Sequence, residues 1–249
     1  MALLTKKDVL KTYKSKEAGL KVLKKYNSWF PVYPSPELAG VIGDLIGDGH
    51  LQGSTKWRID YTSKNIGELN RFGKIMFQLF GVRGKIRPCK TNKFGKTFNY
   101  GINCKPLARM LSLLGAPYGS KVLRNFSIPS WILNDRLCFR SFIRRLFSCE
   151  ACVDFSKNPA IEIKMYKRLS LLRDGLSFMR EIKHYLDVYF NIKCCNPFLE
   201  GGTNKRKDSI KTKGVRLKIK GEYSLKNYYN LIGFDDKLKM YKLSCVIKS

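Results

Sequence analysis

Apolar residues recur along this chain with two periods, and the switches between them mark out its elements. Between Met1 and Tyr33 a lysine-rich stretch carries Val9, Leu10 and Tyr13, then Leu20, Val22 and Leu23, enough for one or two short helices. Pro31, Pro34 and Pro36 punctuate the chain. A stronger helix signal follows, with Ser35 as N-cap, Pro36 in the first turn, Glu37 at the positive end of the dipole, and Leu38, Val41, Ile42, Leu45 and Ile46 at helical spacing. After Gly49 the period drops to two. Leu51, Gly53, Thr55, Trp57, Ile59 and Tyr61 alternate with Gln52, Ser54, Lys56, Arg58 and Asp60, the pattern of a half-buried strand with one polar, partly basic face. A helix over Ile66–Phe80 comes next. Strands around Lys85–Cys89 and Thr97–Cys104 flank the basic turn Lys90–Lys96, and a helix over Pro106–Leu114 closes the series.

The same order then repeats. Leu137, Phe139, Phe142, Ile143, Leu146 and Phe147 form a helical stripe that ends at Glu150, strands follow over Cys152–Phe155 and Ile161–Tyr166, and a helix runs from Leu169 to Phe190. A basic turn over Asn204–Lys213 precedes a strand at Val215–Ile219 and a last helix, Leu225–Ile232, that stops at Gly233. The pattern predicts an α+β chain of two αββαββα units, an internal duplication beneath divergent residues. The expected divisions are a basic helical extension over 1–34, a first unit over 35–120, a linker over 121–135 and a second unit over 136–249.

Composition narrows the function. With 44% hydrophobic and 12% aromatic residues among 249, the chain can bury real cores. Its formal net charge of +29 is a self-repulsion best relieved by a polyanion, and nucleic acid is the commonest one. A solvated basic surface or a ribosomal-type protein is the blander reading. The longest apolar runs, such as Val41–Ile46, are broken by Gly43 and Asp44 far short of a membrane span, and the first residues lack the apolar core of a signal peptide. An intracellular protein with reduced thiols is therefore expected, in the cytoplasm, the nucleoid or an organelle matrix. Cys149 and Cys152 with Cys194 and Cys195 are the one zinc-like set. Adjacent cysteines chelate a tetrahedral ion poorly and only His184 is near, so core thiols are the expectation.

Each unit's first helix leads to a carboxylate followed by a small residue: Gly47-Asp48-Gly49 and Cys149-Glu150-Ala151. The run Leu38-Ala39-Gly40-Val41-Ile42-Gly43-Asp44-Leu45-Ile46-Gly47-Asp48-Gly49-His50 resembles the first signature helix of the LAGLIDADG homing endonucleases. The run Phe142-Ile143-Arg144-Arg145-Leu146-Phe147-Ser148-Cys149-Glu150-Ala151 resembles the second, with Arg145 where a small residue is usual and Ala151 where glycine is. The likeness in element order runs from about Pro36 to Leu243.

The resemblance implies two pseudo-twofold-related units with curved antiparallel DNA-binding sheets, in a monomer that cleaves both strands of a long double-stranded target. By resemblance, Asp48 and Glu150 are catalytic metal ligands, the carbonyls of Gly47 and Cys149 are helpers, and Mg²⁺ is the cofactor, with Mn²⁺ or Ca²⁺ able to substitute for binding. Lys105 and Lys220 are the expected basic residues beside the two centres. Hard oxygen ligands suit that chemistry, because a bound Mg²⁺ activates water and stabilises a leaving oxygen. Asp44, one turn before Asp48, is expected at the core edge or in solvent. Alternation along the strands nominates Gln52, Ser54, Lys56, Arg58, Lys85, Arg87, Lys164, Arg216 and Lys218 as DNA contacts. Two rivals stay open: an intron maturase that binds RNA, and an inactive DNA-binding regulator on the same fold. Without the terminal His-Asn of an intein, the expectation is a free-standing, intron-encoded enzyme.

Overall fold

The Ser15 hydroxyl accepts a hydrogen bond from Ala18 N at 3.2 Å and starts the longer of two N-terminal helices, α1 (Lys6–Leu10) and α2 (Lys16–Lys24). In the computed structural model, which describes residues 1–53, 55–89, 97–156 and 158–247, these helices are built into the first of two units, Met1–Gly119 and Ser120–Ser249. Trp29 carries the attachment: its indole donates to Phe80 O at 2.8 Å and stacks on Tyr26 at 4.1 Å. Leu4 bridges to Val32, and the Arg109 guanidinium lies 4.5 Å from the Tyr13 ring and 4.7 Å from that of Trp57. The first 34 residues thus share the first unit's core, in which Val9 and Leu23 are fully buried.

The Ser35 hydroxyl caps α3 (Pro36–Ile46) through Leu38 N at 3.2 Å, as the sequence predicts. Every residue of α3 from Leu38 to Ile46 is buried, including Asp44 at 1% exposure. That corrects the expectation of a core-edge or solvated Asp44. Its two oxygens accept from the Arg71 guanidinium at 2.8 and 2.9 Å, and Glu68 holds the same guanidinium at 2.8 Å. Burial pulls the Arg71 pKa down, but the charge and hydrogen bonds of Asp44 more than reverse it, so the pKa ends raised.

The alternation read as one strand from Leu51 to Tyr61 is a hairpin. The strands β1 (Gly49–Gln52) and β2 (Arg58–Ser63) pair antiparallel, Leu51 against Ile59, with Trp57 at φ 42 in the turn. Because antiparallel partners share a face, the in-out pattern survives the reversal. Helix α4 (Ile66–Phe80), capped by the Asn65 side chain and ended by Gly81 at φ 64, leads to β3 (Lys85–Pro88) and β4 (Phe98–Ile102). The sheet order is β1-β2-β4-β3. Its core face carries Leu51, Ile59, Tyr61, Tyr100 and Ile102, and Tyr61 stacks on Phe72 of α4 at 4.6 Å. Helix α5 (Lys105–Leu113) completes the unit.

In the second unit α6 (Ser130–Leu133) and α7 (Arg136–Glu150) precede β5 (Ala151–Asp154) and β6 (Ala160–Arg168). Then come α8 (Leu172–Phe190), β7 (Phe198–Leu199), β8 (Asn204–Lys205), β9 (Lys211–Lys220), α9 (Glu222–Leu231) and α10 (Lys237–Val246). The sheet order is β5-β6-β9-β7, with β8 also on β9, so part of the predicted Asn204–Lys213 turn is strand. Phe139 of α7 meets Tyr185, Tyr189 and Phe190 of α8 at 5.6 to 6.4 Å. The core side of β6 carries a charged residue: Lys167, 2% exposed, donates to the carbonyls of Lys121 and Arg124, each at 2.9 Å, and lies 3.6 Å from the Phe126 ring. No described helix is long and apolar enough to cross a membrane.

Candidate active site

The two sheets present their polar faces with one shared register. In the first unit Gly49 pairs with Tyr61, so Asp48, one residue earlier, stands level with Thr62, whose amide donates to Asp48 O at 3.3 Å, and Thr62 pairs with Asn99 of β4. In the second, Ala151 pairs with Ile163, so Glu150 stands level with Lys164, which pairs with Arg216 of β9. Asp48 and Glu150 therefore hold the same position in the duplicated topology. Asp48 lies past the end of α3, exposed, after the buried Gly47, whereas Glu150 is the last residue of α7 and half-buried.

The surroundings of the two acids differ. The Asp48 row has neutral nearest neighbours, with Asn99 donating to the Thr62 hydroxyl at 3.2 Å, and reaches a cation only at its outer strand, where Arg87 pairs with Asn99. The Glu150 row is cationic, and Glu150 lines a cleft of about 520 Å³ with Lys121, Glu162, Lys164, Tyr166 and Arg216. Hydrogen bonding to Tyr166, and then to Glu200 at 3.4 Å, raises the Lys164 pKa and keeps its ammonium charged. Lys220 ends β9 and is exposed, four residues beyond Arg216, which is roughly 13 Å along the strand at the usual rise. Lys105 is exposed as the first residue of α5, and the residue level with Lys220 in the first unit is Asn103. Neither lysine stands on its unit's acid row. Lys164 and Arg216 were expected only as DNA contacts; the signal that could have placed them beside Glu150 is strand register, which a single sequence leaves open.

The end of α7 is held by the C-terminal segment. Lys239 donates to Ser148 O at 2.5 Å and approaches Cys149 O at 3.4 Å, the carbonyl expected to help a metal. Asp235 pairs with Arg144 at 2.8 Å and Arg145 at 2.5 Å, and its amide donates to the Ser148 hydroxyl at 2.9 Å. Arg145, the departure from the family pattern, is thus an ion-pair partner.

Among the described residues no three carboxylate, imidazole or thiol groups converge on one point. Each unit instead offers one accessible carboxylate at the carbonyl-rich end of a helix. That donor set fits a hard divalent ion that keeps several of its waters. The Cys194 thiol fits a metal less well, because burial pushes it up to about 12.

Of the expected DNA contacts, Gln52, Arg58, Lys164, Arg216 and Lys218 lie on the polar faces of the sheets, Lys85 and Arg87 are exposed on β3, and Lys56 is exposed in the hairpin turn. Ser54 and the Lys90–Lys96 turn lie outside the described residues.

The chain superposes on the homing endonuclease I-WcaI, a structure bound to its DNA recognition sequence, with a TM-score of 0.55 and 14% identity over 96% of this chain and 97% of that one. The fold is that of a LAGLIDADG homing endonuclease. No family profile matches the LAGLIDADG-fold chain. In sequence it is 30% identical over 177 residues to the replication factor C small subunit of Methanocaldococcus jannaschii, a match covering 65% of this chain and 10% of that protein. It is 25% identical over 213 residues to the tRNA-splicing ligase RtcB of Pyrococcus furiosus, covering 80% of this chain. The chain spans about 10% and 21% of those relatives' lengths.

Proposed function

We propose that this chain is a site-specific DNA endonuclease that binds a long double-stranded target and hydrolyses both strands with the help of divalent metal ions. The observation that carries the reading is the register equivalence of Asp48 and Glu150, each one residue ahead of the first strand of an antiparallel sheet whose exposed face is polar and basic. A duplicated chain that sets one acid at the same point of each half is organised for two equivalent reactions, one per strand. The likeness to I-WcaI, itself bound to DNA, supports the partner. The relatives add support of another kind. A replication factor subunit and an RNA ligase share no activity in their names, yet each matches this chain over a minor fraction of its length. The common segment behaves as a module independent of what carries it.

In this reading Asp48 and Glu150 hold the ions, with backbone oxygens at the helix ends. A bound Mg²⁺ supplies Lewis acidity to a scissile phosphate and lowers the pKa of an attacking water. The chain's own residues do the rest. Lys164 and Arg216, level with Glu150, place positive charge where a phosphate acquires negative charge. Thr62 and Asn99 offer neutral hydrogen bonds next to Asp48, and the cation of that row, Arg87, stands one strand further out than Arg216 does from Glu150. Lys239 neutralises the negative end of α7 and fixes the backbone that carries Glu150.

The test is selection of cleaved duplexes from a randomised library in Mg²⁺, followed by Asp48→Asn on the selected site. Cleavage is expected to fall by about 100-fold or more, while binding in Ca²⁺ persists. Tight binding of one site with no cutting by the parent protein in Mg²⁺ or Mn²⁺ would establish a regulator instead. Equal cutting by parent and Asp48→Asn would remove Asp48 from the mechanism.

A further inference from the structure

The two polar faces each contain a feature that a surface made for a polyanion should avoid, a nearly buried carboxylate. Asp60 is 6% exposed and Glu162 7%. They are register equivalents: His50 pairs with Asp60 as Cys152 pairs with Glu162, and each faces the last long strand of its sheet, at Gly101 and Lys218. Burial of a carboxylate is unfavourable and its charge repels phosphate, so its recurrence at one point of both halves calls for a compensating role.

Its contacts supply one. Asp60 accepts from Arg58 Nε at 2.7 Å through Oδ1 and from Gln52 at 2.8 Å through Oδ2. Glu162 accepts from Arg216 Nε and Nη2 through Oε1 and from Lys218 Nζ at 2.8 Å through Oε2. In each half the acid grips an arginine by the Nε side of its guanidinium. The outer edge, formed by the Nη1 N–H and the second N–H of Nη2, takes no part in these contacts, and the two arginine side chains keep 29% and 28% of their exposure. That edge is the one whose paired N–H groups match O6 and N7 of guanine in the major groove. The backbone is shaped for the first of these arginines. A Cβ on Gly101 would sit 2.4 Å from Arg58 Nη2 and 3.2 Å from Asp60 Oδ1, so only glycine lets the guanidinium lie across β4.

We propose that Asp60 and Glu162 are specificity-determining positioning residues that hold Arg58 and Arg216 as guanine readers, one in each half. The inference rests on the DNA-binding reading above. An arginine already fixed by a buried acid loses little freedom on binding and cannot swing to a phosphate, so its contribution is selective for one base. Gln52 and Lys218, held by the second oxygen of each acid, are fixed with them.

The experiment selects bound duplexes from a randomised library, in Ca²⁺ so that cutting is not required, with the parent protein and with Asp60→Asn, Arg58→Lys, Glu162→Gln and Arg216→Lys. Melting curves confirm that each variant is folded, and the lysine variants keep the charge while removing the fork. The parent is expected to demand guanine at one position in each half. Asp60→Asn and Arg58→Lys should relax the same position by about tenfold, and Glu162→Gln and Arg216→Lys the other, with preferences elsewhere unchanged. Acid and arginine variants that alter different positions, a uniform loss of affinity across all sequences, or an unchanged preference would each overturn the proposal. A parent that binds no duplex would bring down the DNA-binding reading and this inference together. A parent that binds and cuts a site without guanine preference would overturn only the inference.

Discussion

Asp44 and Asp48 lie one helical turn apart in the first signature segment, and the structure gives them opposite work. Asp44 is 1% exposed and bonded through both oxygens to Arg71, whose side chain is 18% exposed. Removing one member of a buried pair strands the other, at a cost of about 3–5 kcal/mol. Arg71 keeps Glu68 at 2.8 Å and the Tyr61 hydroxyl at 3.4 Å, so the lower end applies and Asp44→Asn should lose about 3 kcal/mol. With a urea slope near 2 kcal/mol/M, that is a fall of about 1.5 M in the unfolding midpoint at unchanged slope. Replacing both partners by apolar residues, Asp44→Leu with Arg71→Met, should cost clearly less than the two single changes added together, because no charge is left stranded. Asp48→Asn sits in solvent beyond the helix end and should stay within about 0.5 kcal/mol of the parent. Equilibrium urea unfolding of the five variants, the two single apolar changes included, decides the matter. An Asp44→Asn midpoint indistinguishable from the parent, or an Asp48→Asn loss as large as that of Asp44→Asn, would refute the division of labour.

Two further outcomes follow from the second unit. Burial, helped by the charge of Lys121, outweighs the opposite charge of Asp174 and lowers the Lys167 pKa to about 8 from 10.5. The unfolded chain therefore binds more protons than the folded one between those values, and stability should rise with pH, by about 2 kcal/mol from pH 8 to pH 10. The contribution is isolated as the stability difference between parent and Lys167→Met at each pH, and a flat difference over that window would contradict it. Lys239→Met removes the ammonium from Ser148 O and Cys149 O and should lower stability by about 1 kcal/mol, with faster amide exchange confined to the last turn of α7. Unchanged exchange there would show that the lysine does not hold the Glu150 backbone.

What the chain's pattern disclosed was whatever depends on neighbours within one turn or one strand. The Ser35 cap, the apolar stripes of α3 and α7 and the in-out alternation around Ile59 and Tyr61 are all local, and each appears where expected. What escaped notice depends on residues that meet from far apart. Arg71 reaches Asp44 from 27 positions away and Arg109 reaches Thr12 O from 97, so neither the buried acid nor the docking of the N-terminal helices could be read from spacing. Helix α10 went unpredicted because its apolar residues, Leu238, Met240, Tyr241 and Leu243, do not line a single face. The two acids beside the strands were legible as motif residues. Which residues stand level with them was not, although Lys164 and Arg216 were expected on the outward face, because a shift of one residue in pairing would exchange one face for the other.

That distinction bears on how a chain of net charge +29 could be selective at all. Free lysines and arginines attract any duplex, and the affinity they give is nonspecific and falls steeply with salt. The described sheet faces mix exposed cations, Lys85, Arg87 and Lys220, with cations held by acids. Arg58, Lys164, Arg216 and Lys218 are each held by an acid of the same face, namely Asp60, Glu200 or Glu162. Long-range attraction must then come chiefly from exposed cations, on these faces and elsewhere, while the paired cations contribute direction more than charge. Two kinds of cation imply two responses to salt: overall affinity should fall as ionic strength rises, while the rank order of preferred sites stays the same.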